Sequence, residues 1–228
     1  MMHKYKALGV ALAAVLGLSA IAAQVASANP LTVNEGGSGT TFYTGDQETT
    51  WIFETPEGTS QCPTTSIKAA TAGASVTETS YEATYSNCSG LGFVTMHWNQ
   101  SNCTYTFTTP TKIKTGEVTW SASNIHIVCA AGKFIEYTPT FLGTSACTRF
   151  IGSQTPKGGH IIGRNAGGPG PNEKDVTLEI TLEGLQYTST GGACGSAGAH
   201  SDLKWTGNST VRAYSNGGHT TQRGIAFS

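Results

Sequence analysis

Charge is scarce in this chain. Only 12% of its 228 residues are Asp, Glu, Lys or Arg, and the formal net charge is −1. No basic patch stands out, so nucleic acid is not an expected partner. No basic amphipathic stretch is present to lie on a membrane surface. No convincing helical periodicity follows residue 28, and no repeat is found. H-E-x-x-H, an EF-hand loop and a Gly-Lys-Ser/Thr phosphate loop are all missing, which removes the commonest metal and nucleotide signatures.

One long apolar run is there. Met1-Met2-His3-Lys4-Tyr5-Lys6 precede an apolar or small stretch from Ala7 to Ala23, then Ala26-Ser27-Ala28 and Asn29-Pro30. A basic start, an apolar stretch and an A-x-A site make a signal peptide, residues 1–28, cut after Ala28. No stop-transfer charge follows and no Cys adjoins the cut, so no stable membrane anchor is expected. The mature chain, residues 29–228, is expected to be secreted. It is long enough for one β domain or two small ones.

Its cysteines are Cys62, Cys88, Cys103, Cys129, Cys147 and Cys194. An even number in an exported chain implies disulfides rather than nucleophiles or metal ligands. Sequence does not choose among the pairings. Sequential pairing is preferred, because each such pair brackets segments able to fold back as hairpins. Each bridge would contribute about 3–4 kcal/mol by restricting the unfolded chain.

Thr, Ser, Asn and Gly fill the place of charge and suit short strands and turns. Residues 29–48 read as a loose arm around Gly36-Gly37-Ser38-Gly39. Trp51-Ile52-Phe53 is a short strand. Cys62 to Ala70 and Ala74 to Tyr85 form a pair with no clearly apolar face. Phe93–Trp98 and Asn102–Phe107 alternate across a polar turn and read as a central hairpin. Val118 and Trp120, then Ile125, Ile127 and Cys129, continue the pattern. Thr138-Pro139-Thr140 is a possible joint between halves 29–138 and 139–228. Gly158 to Asn172 reads as a long surface loop. Val176, Leu178, Ile180 and Leu182 alternate with polar residues in the cleanest half-buried strand. Gly184 turns it into Leu185–Thr188. The expected fold is all-β: a disulfide-braced antiparallel β-sandwich, or two small sandwiches in tandem.

The cysteines and aromatics also carry a resemblance. Tyr85-x-x-Cys88, Asn102-Cys103-x-Tyr105-x-Phe107, Cys129, Cys147, Gln154, Tyr187 and Cys194 follow in an order that resembles a group of uncharacterised exported six-cysteine proteins of high-GC Gram-positive soil bacteria. The resemblance implies an all-β secreted protein and carries no activity. Ser101-Asn102-Cys103 departs from the Asn-Gly-Cys of that group, which leaves the turn type open.

Candidate chemistry is thin. Ser196, His200 and Asp202 invite a triad reading, but no G-x-S-x-G surrounds Ser196. Glu179 and Glu183 share one strand face at roughly 13 Å, whereas glycosidase carboxyls stand about 5–10 Å apart. His97 and His126 are read as cross-strand neighbours, and two histidines make a weak metal site. Trp51, Trp98, Trp120 and Trp205 alternate in phase with apolar neighbours and read as core. Tyr43, Tyr81 and Tyr214 are the better candidates for exposed contact. Asn99-Gln100-Ser101 and Asn208-Ser209-Thr210 fit the glycosylation pattern, incidental in a bacterium.

No catalytic residue, cofactor or metal is assigned. The expected function is an exported non-catalytic module that binds or coats, with envelope polymer, glycan or protein as partner. The alternatives are a secreted hydrolase with a site built from loops 158–172 and 191–202, and an outer-membrane barrel. Thiol labelling of the unfolded, unreduced mature chain is expected to find no free thiol, and any labelled cysteine refutes full disulfide pairing.

Overall fold

The computed structural model describes residues 31–33, 39–72, 75–76, 78–90, 94–100, 102–145, 147–166 and 175–227. The expected signal peptide, residues 1–28, and the Gly-Pro run at 167–172 lie outside them. The described chain is all-β, with only short 3-10 turns at Ala122–Asn124 and Gly192–Cys194.

The strands close into an eight-strand barrel, which corrects the expected sandwich. Most wall strands are two runs joined at a kink. The first wall is Thr40–Gln47 with Trp51–Thr55, and the second is Gly58–Cys62 with Thr64–Ala72. The third is Thr79–Ser86 with Ser89–Gly90, and the fourth is Val94–Asn99 with Cys103–Phe107. The fifth is Ile125–Cys129 with Ile135–Phe141, and the sixth is Arg149–Ile151 with Gly158–Asn165. Asp175–Ser189 and Gly198–Tyr214 are the seventh and eighth. Each wall pairs antiparallel with the next in sequence, and the eighth closes on both runs of the first. A hairpin of Thr111–Lys114 and Glu117–Ser121 leaves the ring and rests on Gly158–Asn165.

Five local readings change with closure. The runs at Val94–Asn99 and Cys103–Phe107 do not form a hairpin. They are successive parts of one wall, paired with the third wall on one side and the fifth on the other. Asn102, at φ 67°, and the Cys103 N–H bonded to the Gln100 carbonyl (3.1 Å) re-aim the strand without reversing it. Part of the expected arm, Thr40–Gln47, is wall strand. Gly158–Asn165, expected as loop, is also wall, because Gly163 serves packing: a Cβ there would lie 2.6 Å from the Phe227 ring. Gly184 makes a bulge inside one long strand rather than a turn, as the register shift after Leu182 shows. The joint expected at Thr138-Pro139-Thr140 lies within Ile135–Phe141, opposite Thr95, Met96 and His97, and walls from both sides of it build the one barrel.

Eight strands enclose about as much space as side chains fill. Trp51, Phe53, Tyr85, Tyr105, Tyr137 and Trp205 are buried there, and an interior void walled by Trp51, Tyr105, Leu178 and Trp205 measures only about 20 Å³. Each such side chain contributes about 1.5–3 kcal/mol on burial. Tyr43 and Tyr81, expected at the surface, are 1% and 6% exposed and belong to this core, since closure turns their faces inward. Outward positions carry Glu82, Thr84, Thr95, His97, Glu179 and Glu183. Polar outside and apolar inside is the reverse of a membrane-spanning barrel. No described helix is long and apolar enough to cross a membrane.

Disulfides join Cys62 to Cys88, Cys103 to Cys129 and Cys147 to Cys194, the sequential pairing. The first two tie walls two to three and four to five where those walls kink. The third ties the start of the sixth wall to the turn between the seventh and eighth. Three disulfides fit an oxidising, extracellular type of environment.

Closure also demands close approach across the wall. A Cβ on Gly207 would lie 2.6 Å from Cγ of Trp51, whose Nε1–H donates to the Asn208 carbonyl (3.2 Å). Gly207→Ala is expected to cost about 2 kcal/mol through overpacking, a fall of about 6 °C in Tm. An unchanged melting curve would refute this packing of Trp51.

Candidate functional site

The ladder between the third and fourth walls parts at the kink. Tyr81 faces Tyr105 in one run and Ser89 faces Thr95 in the other, and no ladder pair joins the two walls between them among the described residues. The cleft left behind holds about 350 Å³ and is lined by Glu82, Thr84, Trp98, Asn99, Gln100 and Asn102, among others. That volume is at the small end of ligand sites. Disulfides Cys62–Cys88 and Cys103–Cys129 stand at the same kink and hold its shape.

Polar groups are buried at this cleft. Nε1 of Trp98 is buried without a hydrogen-bond partner among the described residues. The Gln100 amide is also buried, with the Tyr105 hydroxyl as a neighbouring polar group. Such groups cost about 1–3 kcal/mol each when left unpaired. The Trp98 ring is fixed from behind by Phe53, Tyr85 and Tyr137, with centroids at 4.2, 5.1 and 4.7 Å. Its faces are therefore largely occupied, and its buried indole N–H has no partner among the described residues. The hydroxyls of Tyr85 and Tyr105 meet at 3.2 Å beneath the cleft. Burial raises both pKa values, so this pair is neutral at ordinary pH. Among the described residues Glu82 is the one charged side chain in the lining, which has no described Lys, Arg or His.

A second polar cluster closes one barrel mouth. Arg149, 5% exposed, points inward in phase with Ile151. It donates to Glu57 Oε2 (3.1 Å), the Tyr137 hydroxyl (3.3 Å) and the Cys194 carbonyl (3.3 Å). Its guanidinium lies 5.3 Å from the ring centroids of both Tyr137 and Tyr187. The Tyr187 hydroxyl also donates to Glu57 (3.4 Å). Burial alone would raise the Glu57 pKa. Hydrogen bonds from its backbone and Thr55, the Arg149 charge and the Tyr187 hydroxyl outweigh that and hold it below 4.5. Gly195 completes the contact, since a Cβ there would lie 2.6 Å from Glu57.

The expected constellations disperse. His200 bonds the Ser196 backbone carbonyl through Nε2 (3.0 Å), not its hydroxyl, and stacks on Tyr187 at 4.8 Å. Glu179 pairs with Arg164 (2.7 Å) and Glu183 with Lys204 (3.5 Å), both on the outer face. His97 and His126 are not neighbours: one sits opposite Thr138 and the other opposite Thr106. No group of three His, Cys, Asp or Glu suited to a metal occurs among the described residues. Tyr214 is half-buried against His219 (5.1 Å). Glu82 carries no motif, and the glycosylation pattern at Asn99-Gln100-Ser101 does not point to a cleft. An Arg at an inward phase was the one available signal for the mouth cluster. No family model, curated protein or solved structure matches the chain.

Glu57 loses its charge as pH falls, while Arg149 keeps its own. Because its folded pKa is depressed, the stability it adds is complete above 4.5 and is lost as pH falls through the lower folded value. Glu57→Gln is expected to cost about 2 kcal/mol at pH 7, since Arg149 is left buried without its counter-charge. It should also flatten the decline in stability below pH 4.5. Urea unfolding across pH measures both, and parallel wild-type and variant curves would refute the ion pair's role.

Proposed function

We propose that this protein is an exported, non-catalytic binding module acting at the cell envelope or in the extracellular matrix. The cleft at the kink between the third and fourth walls carries the reading. It is a preformed opening in the wall of a disulfide-braced barrel, with a Trp98 indole N–H that no described residue satisfies and a Gln100 amide beside it. The filled interior favours a ligand held on the wall over one held inside, as the 20 Å³ void is about the size of one water. A secreted hydrolase draws less support. One of its two loops is largely wall strand, and His200 bonds a carbonyl rather than a nucleophile.

Envelopes of the source organism, incubated with the purified mature protein at low and high salt, are expected to retain it at both. Salt-resistance follows because the lining offers little charge to screen. Gln100→Ala is expected to cut retention about tenfold, the loss of roughly 1.4 kcal/mol of binding. Wild-type protein left unbound at both salts would refute the envelope-binding reading.

A further inference from the structure

Resting on that reading, we infer that the cleft between Glu82–Thr84 and Trp98–Asn102 takes a neutral saccharide. The lining sets the chemistry of the ligand. Three of its side chains are primary amides, Asn99, Gln100 and Asn102, and Thr84 adds a hydroxyl. Each amide both donates and accepts, and a hydroxyl does the same. A surface of such groups matches a polyol, whose every hydroxyl also gives one proton and receives others. The Trp98 indole only donates, so it needs an acceptor oxygen on the ligand. Glu82 only accepts when ionised, so it needs ligand O–H groups and repels an anion.

Charge excludes the other polymers of an envelope. A teichoic-type phosphate chain or a uronic acid would bring negative charge to a cleft with Glu82 and no Lys, Arg or His among its described residues. A cationic peptide would find one carboxylate and no second acceptor charge. An apolar ligand would leave the Trp98 N–H unsatisfied. Rigid placement strengthens the case. Trp98 is packed on three aromatic rings and both flanking kinks are disulfide-bonded, so little ordering remains to oppose binding.

The test is NMR titration of the mature protein, following the Trp98 indole N–H, which is assigned by its loss in Trp98→Phe. Glucose, galactose, mannose, N-acetylglucosamine and short oligomers of each are the probes, with glucuronate and an oligo-threonine peptide as comparisons. At least one neutral saccharide is expected to shift that resonance saturably. Glucuronate should bind about tenfold more weakly, and Glu82→Gln should shrink the gap to about threefold. Gln100→Ala should weaken the neutral ligand about tenfold without lowering Tm. The inference is overturned if no neutral saccharide moves Trp98, if glucuronate or the peptide binds as tightly, or if Gln100→Ala has no effect. Gln100-dependent envelope retention without saccharide binding would overturn the ligand class and leave the binding module standing. Loss of both would overturn both.

Discussion

Everything in this molecule depends on pairing between its last long strand and its first. Gly198–Tyr214 lies against Thr40–Gln47 and Trp51–Thr55 along one edge and against Asp175–Ser189 along the other. That contact turns a meander into a ring. A ring has no free edge to template aggregation, and its inward faces can only meet one another. The aromatic interior, the buried tyrosines and the outward Thr and Glu all follow from closure.

Closure has a geometric cost that the walls meet by kinking. The strands bend where register shifts or turn residues interrupt the ladder, and the disulfides Cys62–Cys88 and Cys103–Cys129 stand at two of those places. Between them the third and fourth walls part. The same bending that lets the barrel close therefore leaves an opening in its side, and the bridges keep that opening from collapsing. A filled interior and an open wall are two consequences of one constraint.

The mouth cluster shows a different use of polarity. Arg149 sits where a core residue is due, and Glu57, Tyr137, Tyr187 and the Cys194 carbonyl together satisfy much of it. Its neighbours come from four different walls and turns. Such a pair stabilises less than an apolar plug of the same volume would, but it fixes how the turns at that end meet. The cleft differs because its Trp98 N–H has no partner among the described residues.

Period-two alternation is a local property, so Val176–Leu182 was legible as half-buried strand and Trp51, Trp120 and Trp205 as core, whereas Trp98 is only partly buried and lines the cleft. The even cysteine count pointed to disulfides for the same reason: counting needs no partner in space. The face that Tyr43 and Tyr81 present was not, because alternation assigns two faces without saying which is enclosed. Gly163 and Gly207 look like loop residues until the rings of Phe227 and Trp51 are placed against them. The cleft was invisible for a stronger reason. It consists of a gap between two ladders, and a gap exists only once both strands and their registers are in place. Residue order and composition were enough for an all-β, six-cysteine chain with an apolar and a polar side to its clearest strands. Ring closure needed the three-dimensional fold, since pairing the first wall with the eighth joins residues more than a hundred and fifty positions apart, and no local pattern encodes so distant a contact.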